Sequence, residues 1–551
     1  MSLHPEALPP VPESTAALAR TVFRKGNRYM LIRDELGVFY KDQDFAMLYP
    51  TRGQAAETPW RLALILVFQF MEGLSDREAA EAVRSRIDWK YALSLELTDP
   101  GFDASVLSEF RSRIIDGGQE QLLLDAMLKH LVSVGLLKGR GRQRSDSTHV
   151  LAAVRALNRY ACVGETMRNC LNVLATVAPG WLRPHLQPEW VARYAKRFDD
   201  YSLPAGLSKR MALVEAIGED GRTLLHAIYS PDASRWLREV PAVETLRIVW
   251  LQQYYAAEAG EPMRWREHAD QPPASQLLHS PYDADARYGT KGDIHWVGYK
   301  VHVTESCEPD SPHLITNVYT TTATGSDFAA AAVIHAQLAQ KELLPQEHLL
   351  DAGYVDAELI VASTDDYQVT VTGPLSVEHS WQAKEQTGYG ITAFQLDWEA
   401  KRATCPQGNV STKWSATKDQ KGTPIINIRF GAVQCRSCPA RQQCTRSPTA
   451  PRNITVRPRP VHEALQAARQ HQQTADFHTR YKLRAGIEGT LSQGMRRTDL
   501  RQTRYIGLAK TRLQHILTAT ALNFCRIAEW LADKSPAPTR TPAFVRLAAM
   551  C

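Results

Sequence analysis

Residues 294–303 have the sequence IHWVGYKVHV, and residues 313–322 have the sequence HLITNVYTTT. Both segments are rich in β-branched and aromatic residues, which favour strands. Residues 327–339 have the pattern of a helix, and further strands are predicted at 348–356 (HLLDAGYVD) and 367–375 (YQVTVTGPL). With a short strand around Thr148 and Val150, this order predicts a mixed α/β sheet.

Outward from this sheet, the chain divides into eight predicted segments. They are a lead-in at 1–50, a helical domain at 51–135, the first core strand at 136–155, a helical insertion at 156–280, the core strands and helix at 281–375, a cysteine-containing insertion at 376–474, closing helices at 475–532 and a tail at 533–551. The lead-in is expected to be loosely packed, because it has no sustained periodicity. Within 51–135, Ser75 and Glu78 predict a capping box, and three short helices fit either a helix-turn-helix or ordinary packing.

Composition excludes several classes of protein. The chain has 551 residues, 44% of them hydrophobic and 23% charged, so several domains with buried cores are expected. The longest apolar runs, LALILVF and FAAAAVI, have seven residues, far fewer than the roughly 20 that span a bilayer. The first 20 residues lack a basic segment followed by an apolar one, so we expect a reducing, cytoplasmic location without disulfides.

The positive charge is concentrated in two places. Residues 480–512 contain nine Lys and Arg against two acids, a net charge of +7 in a chain whose total is +6. A second basic run contains Lys138, Arg140, Arg142 and Arg144. Such clusters favour a polyanionic partner, although a solvated helix face would give the same pattern.

Three acids stand beside these basic clusters. Asp146 and Asp351 follow predicted strands, and Glu488 lies in a predicted helix. If they converge, a pair of hard divalent cations would neutralise them and form a two-metal site for displacement at phosphorus. The alternative is that the two aspartates cap turns and that Glu488 pairs with Arg484.

Four cysteines are grouped within the insertion at 376–474. Cys405, Cys435, Cys438 and Cys444 have the spacing C-x29-C-x2-C-x5-C. This arrangement suits a structural Zn²⁺ with four thiolate ligands, in a segment with too few apolar residues for its own core. The alternative is four reduced thiols without metal.

The sequence around these acids resembles the DDE transposases of bacterial insertion sequences, especially the group typified by insertion sequence 1182. The resemblance covers about residues 45–530, and its most specific part is YKLRAGIE, with Tyr481, Arg484 and Glu488 at spacings of three and four. Similar stretches are RSDSTHV, LLDAGY, SPYDADARYGTKGDIHWVGYKVHV and TRLQHILTATALNF. The family's basic residue seven positions after the glutamate would fall at Met495, and Arg496 and Arg497 follow it.

The resemblance implies a ribonuclease-H-like core, an N-terminal helical DNA-binding domain and two Mg²⁺ held by Asp146, Asp351 and Glu488. The implied partners are double-stranded DNA, as terminal inverted repeats and target, and a second copy of the chain on that DNA. Its location would be the cytoplasm, at the nucleoid. The residues expected to contact DNA are Tyr481, Arg484, Arg496, Arg497, Arg501 and Lys300, with a structural role for Lys300 equally open.

Two other functions use the same residues. A metal-dependent nuclease of this fold would hydrolyse DNA without joining it, with the same three acids. A DNA-binding protein derived from a transposase would bind without catalysis. The three acids at 146, 351 and 488 favour a catalytic protein over the second alternative.

Overall fold

The computed structural model describes residues 2–534, except 200, 202, 256–260, 377, 379, 386 and 387, and also residues 543–548. Contacts divide the chain into two units. The first contains Met1–Lys138, Ser147–Ser326 and Glu488–Cys551, and the second contains Gly139–Asp146 and Asp327–Ile487. Most of the predicted tail therefore lies outside the described residues.

The first unit begins with seven α-helices. They are α1 (Glu13–Val22), α2 (Arg28–Leu36), α3 (Pro59–Glu72), α4 (Asp76–Ser85), α5 (Ile87–Ala92), α6 (Ser105–Asp116) and α7 (Leu122–Ser133). Pro59 occupies the first turn of α3, and Gly73 ends that helix in a left-handed conformation with a φ of 72°. The predicted capping box of Ser75 and Glu78 is confirmed at the start of α4.

Much of the segment 2–50 is packed, so the expectation of a loose lead-in is wrong. Tyr29 on α2 contacts Phe68 edge to face, with 4.7 Å between the ring centroids. Phe39, Tyr40 and Phe45 are also buried. These aromatic residues recur at irregular intervals, so the segment shows no periodicity although each ring buries a large apolar area.

The next part of the first unit is helical, as predicted. Strand β1 (Arg142–Leu151) leads into α8 (Arg159–Val177), α9 (Pro179–Leu182), α10 (Pro188–Tyr194), α11 (Leu207–Ile228) and α12 (Pro241–Gln253). These helices share a core that includes Met167, Val214, Leu246 and Trp250. A Cβ at Gly221 would lie 2.1 Å from the Trp250 ring, so only glycine allows α11 to approach α12 this closely.

Three antiparallel strands follow in the first unit, β2 (Arg287–Lys291), β3 (Ile294–Ser306) and β4 (Ile315–Thr322). Strand β3 pairs with β2 along residues 294–298 and with β4 along residues 299–305. The end of β1 also lies against β3, because the amide of Ala152 donates to the carbonyl of Val297. The predicted strands at 294–303 and 313–322 are confirmed, whereas β2 was not predicted.

The second unit contains parallel strands connected by helices. Its elements are α13 (Asp327–Gln340), β5 (Glu347–Leu349), α14 (Ala357–Tyr367) and β6 (Thr370–Thr372). Strand β5 pairs in parallel with the beginning of β1 and with β6. Because the chain combines antiparallel and parallel strands with many helices, it is a mixed α/β protein, as predicted.

The cysteine-containing segment has a small core, so the expectation that it lacks one is wrong. Its elements are α15 (Trp381–Glu385), β7 (Gln395–Asp397), β8 (Arg402–Thr404), β9 (Lys413–Lys418), β10 (Pro424–Arg429), α16 (Ala432–Arg436), α17 (Arg441–Cys444), β11 (Asn453–Val456) and α18 (Arg459–His471). Strand β10 pairs with β9 and β11. The buried residues of the core include Phe394, Phe430 and Ile454.

Four helices close the described chain, α19 (Ala475–Tyr481), α20 (Gly486–Thr498), α21 (Leu508–Leu531) and α22 (Ala543–Ala548). Helix α21 packs on β4 and on α3 within the first unit. Asp285 accepts a hydrogen bond from the amide of Leu508 at 2.9 Å, which stabilises the first turn of α21. Across the described residues, no helix combines the length and apolar character needed to cross a membrane.

Candidate active site

Strand register brings Asp146 and Asp351 to the same edge of the second unit. Arg144 on β1 is paired with Leu349 on β5, and each aspartate follows its paired residue by two positions. Residues two apart on a strand face the same side, and equal offsets from a pair of parallel residues keep the two chains at the same level. The parallel pairing therefore explains why two acids 205 positions apart lie together.

One guanidinium lies between these two carboxylates. Nη2 of Arg484 is 2.7 Å from Oδ2 of Asp146 and 3.6 Å from Oδ2 of Asp351. The Arg484 and Asp146 side chains are only 14% and 11% exposed, so their mutual attraction is weakly screened by water. Arg484 was predicted to contact DNA, but here its positive charge is shared by the two acids.

A fourth acid lies beside Asp351. The amide of Gly353 donates to Oδ1 of Asp351 at 2.8 Å. A Cβ at Gly353 would lie 3.2 Å from this oxygen and 3.4 Å from Oδ2 of Asp327, the first residue of α13. The local sequence does not indicate this proximity of Asp327, because only the fold brings α13 to the loop after β5.

Glu488 occupies the first turn of α20, in the first unit, and its side chain is exposed. The spacings of three and four in YKLRAGIE predict that Tyr481, Arg484 and Glu488 share one face of a continuous α-helix, and this prediction is wrong. Tyr481 ends α19, where it stacks on Phe477 with 5.5 Å between ring centroids, and Arg484 lies in a separate 3₁₀ turn, Lys482–Ala485. The 3₁₀ turn has three residues per turn, so the spacing that would align these residues on an α-helix does not hold.

The other predicted DNA contacts divide into two groups. Arg496 and Arg497 are exposed at the end of α20, and Arg497 lies 3.3 Å from Glu529. Lys300 on β3 donates to the carbonyl of Gly325 at 2.7 Å, and Arg501 donates to the hydroxyl of Thr148 at 2.7 Å. The second pair thus has structural contacts within the first unit.

The second basic run is also engaged within the protein. Each of its four side chains contacts an acceptor in its own unit: Lys138 binds Asp310, Arg140 binds the carbonyls of Tyr367 and Gln368, Arg142 binds Glu347, and Arg144 binds the carbonyl of Leu483. Distant carboxylates therefore offset the charges of Lys138 and Arg142, and distant carbonyls bind Arg140 and Arg144, which the local sequence does not reveal.

The two arginines of α6, in the predicted DNA-binding domain, make contacts inside the fold. Arg111 is buried, forms a salt bridge with Asp76 and lies over the ring of Tyr505. Arg113 lies over the ring of Tyr49, 4.9 Å from its centroid. These contacts support packing of α6 in the first unit.

The four clustered cysteines line one pocket in the second unit. Its other lining residues include Phe394, Phe430 and Arg452. Burial raises the pKa of the Cys444 thiol, and the three neighbouring cysteines add to the rise while Arg452 opposes it. Among the residues that the structure describes, no three His, Cys, Asp or Glu side chains are arranged as a metal-binding group, either here or around the aspartates.

A hydrogen-bonded chain of buried side chains lies next to the two aspartates. Ser145 contacts His348 at 2.7 Å, His348 contacts His335 at 2.8 Å, and His335 contacts Ser363 at 3.2 Å. Burial lowers the pKa of His335 to about 4 and that of His348 well below its usual value. Both rings are therefore neutral near pH 7.

The lowered pKa values of His335 and His348 predict that the protein loses stability in mild acid. Because the folded-state pKa values lie below the unfolded value of 6.5, the neutral rings stabilise the fold fully above pH 6.5, and this contribution falls toward pH 4. His348→Gln should make the fall in Tm between pH 7 and pH 4.5 shallower. The matched control, exposed His478→Gln, should retain the wild-type profile, and equal profiles for both variants would contradict this assignment.

The fold and site define an α/β protein with two acids two positions beyond a paired residue of the parallel strands β1 and β5. Residues 404–528 match the family model described as "Transposase DDE domain", and residues 21–113 match "Transposase domain (DUF772)". No curated protein and no solved structure matches the chain. The two family matches support its identification as a DDE transposase, and the insertion sequence 1182 group is consistent with their pairing.

The first match includes Glu488 and all four clustered cysteines. It does not include Asp146 or Asp351, because both precede residue 404. DDE transposase domains generally use a divalent metal such as Mg²⁺. The placement of the two aspartates therefore comes from the strand register and not from the family match.

Proposed function

We propose that this transposase binds the terminal inverted repeats of its insertion sequence, cuts DNA at their ends and joins the 3′ hydroxyls to target DNA. The observation that carries the proposal is the pairing of Asp146 and Asp351 with one shared cation, the guanidinium of Arg484. The family match around Glu488 supports a third acid for the same chemistry. The sheet and these acids together favour a ribonuclease-H-like core.

The two aspartates fit a divalent metal. Their oxygens are hard ligands of the kind that Mg²⁺ prefers, and they already share one positive group in this structure. Two bound Mg²⁺ would activate the attacking oxygen and stabilise the leaving oxygen at phosphorus. Asp146, Asp351 and Glu488 would hold them, and Arg484 would become available to a phosphate oxygen.

Two alternatives remain distinct from this proposal. A nuclease with the same acids would release cut DNA only, and a non-catalytic descendant would bind DNA only. Incubation of the purified protein with end DNA, target DNA and Mg²⁺, followed by gel separation, distinguishes all three. Joined products support transposition, whereas nicked ends alone or unchanged DNA would support the first or second alternative.

The basic end of α20 is proposed as a DNA contact. Arg496→Ala combined with Arg497→Ala should reduce the salt dependence of DNA affinity, because each phosphate contact releases a condensed counterion. The slope of log K against log salt should become shallower by up to about 2, with little change in preference for end DNA.

The matched control removes two arginines elsewhere on the first unit. Arg222 and Arg247 each form a salt bridge within the helical insertion, with Glu219 and Glu244. Arg222→Ala with Arg247→Ala should leave the slope unchanged. Equal slopes for both double variants would show that Arg496 and Arg497 face away from DNA.

We also propose a homodimer on DNA, because joining two ends of one element requires both to be held at once. The cell compartment that fits this substrate is the cytoplasm, at the nucleoid. Light scattering of the protein with and without end DNA should show one copy per end and two copies in the paired complex. A complex of one copy with two ends would contradict the dimer.

The cysteine pocket is proposed as a structural zinc site. Its support is that Cys405, Cys435, Cys438 and Cys444 line the same pocket although up to 39 positions separate them. Thiolates in this number suit tetrahedral Zn²⁺, provided that the side chains close toward a common point. Without metal the same residues are reduced thiols beside a small core.

A further inference from the structure

A buried ion pair connects β3 and α21 in the first unit. Glu305, near the end of β3, has no solvent exposure, and Nη1 of Arg526 on α21 lies 2.8 Å from its Oε2. A buried carboxylate is costly unless it is paired and hydrogen-bonded. Arg526 supplies the charge that keeps Glu305 in the core.

The same guanidinium also binds α20. Nη2 of Arg526 donates to the hydroxyl of Thr490 at 2.6 Å, and Nε donates to the side-chain oxygen of Gln493 at 3.0 Å. The Thr490 hydroxyl in turn donates to Glu305. With a further bond from Nη1 to the carbonyl of His313 at 2.7 Å, all three nitrogens of Arg526 have acceptors.

These contacts fix the rotation of α20 about its axis. Thr490 is 4% exposed and held inward, whereas Glu488 is exposed. At 3.6 residues per turn, two positions correspond to a rotation of roughly 200° around a helix. Holding Thr490 against Glu305 and Arg526 therefore directs Glu488 to the opposite side of α20.

We propose that Arg526 and Thr490 are positioning residues for Glu488. They set the direction in which its carboxylate leaves α20 and so its ability to bind a divalent metal. This inference rests on the proposed function of Glu488. The network touches no reacting atom and acts only through the orientation of the helix.

The test is a double-mutant cycle on metal affinity. Arg526→Met would leave Glu305 buried without a cation and could unfold the protein, so Thr490→Val is the main variant, since it keeps the shape and the ion pair. Thr490→Val should weaken Mn²⁺ binding, measured by electron paramagnetic resonance of the complex with end DNA, about 10-fold. The control Glu529→Gln removes the surface ion pair between α21 and α20 and should leave Mn²⁺ affinity unchanged.

The cycle separates positioning from general damage. In a Glu488→Gln background, Thr490→Val should cause no further loss, because its effect passes through the Glu488 carboxylate. An equal loss in both backgrounds, or no loss in the wild type, would overturn the positioning role. Wild-type Mn²⁺ affinity in Glu488→Gln alone would instead overturn the proposed function of Glu488.

Discussion

Asp146→Asn, Asp351→Asn and Glu488→Gln are each expected to abolish DNA cleavage. Each change keeps the side-chain shape but removes one anionic ligand, so the affinity for the metal would fall. The negative charge that develops at phosphorus would then be poorly stabilised. Members of one catalytic unit act together, so each single change should cost on the order of 10⁴-fold in rate, and the triple variant little more.

Binding of end DNA should persist or tighten in these variants. Loss of a negative charge beside the scissile phosphate reduces repulsion, which a gel-shift assay on the same preparations would detect. The control is Asp356→Asn, because Asp356 caps α14 through the amide of Leu359 and Asn caps equally well. Wild-type cleavage by Glu488→Gln, or parallel loss of binding and cleavage, would reject the assignment of these acids.

The second large effect is expected at the cysteine pocket. The purified protein should contain about one Zn²⁺ per chain, and Cys435→Ser with Cys438→Ser should lower both zinc content and solubility. The two serines remove half of the thiolate ligands, and the small core around Phe394 and Phe430 would then lack the free energy of metal binding. Elemental analysis and sedimentation of the soluble fraction measure both results.

Cys170→Ala is the control for this prediction. Cys170 is buried in α8, far in sequence from the pocket, so its removal tests the loss of a buried thiol without loss of a ligand. This variant should retain zinc. A zinc-free wild-type protein of full stability would mean that the four cysteines are simply reduced thiols.

Local sequence predicted strands of the core and the position of Asp351 after β5, whereas the prediction that Asp146 follows a strand is wrong, because Asp146 lies within β1. Alternating and β-branched residues set β3 and β4, and a hydrophobic strand followed by Asp351 is a local pattern. The approach of Asp146 to Asp351 was a hypothesis only, because register between β1 and β5 depends on pairing across 205 positions. Nothing in either segment specifies that pairing by itself.

Charge was the least predictable property. Four basic residues at 138–144 appeared to form a polyanion-binding cluster, yet each has an acceptor supplied by a distant segment. The partner of Arg484 was equally unpredictable. Its spacing to Glu488 suggested a shared helix face, but Arg484 lies in a 3₁₀ turn and forms a salt bridge with Asp146. Side-chain partners follow from tertiary packing, so local charge counts identify them poorly.

We propose that Asp146, Asp351 and Glu488 bind the same metal ions. The most direct test replaces Mg²⁺ with Fe²⁺ in the complex with end DNA and adds ascorbate and peroxide, so that radicals cut the protein backbone beside the bound iron. Cuts should occur near residues 146, 351 and 488, and excess Mg²⁺ should suppress all three together. Cuts near 146 and 351 without any near 488, or cuts confined to other segments, would contradict metal binding by all three acids.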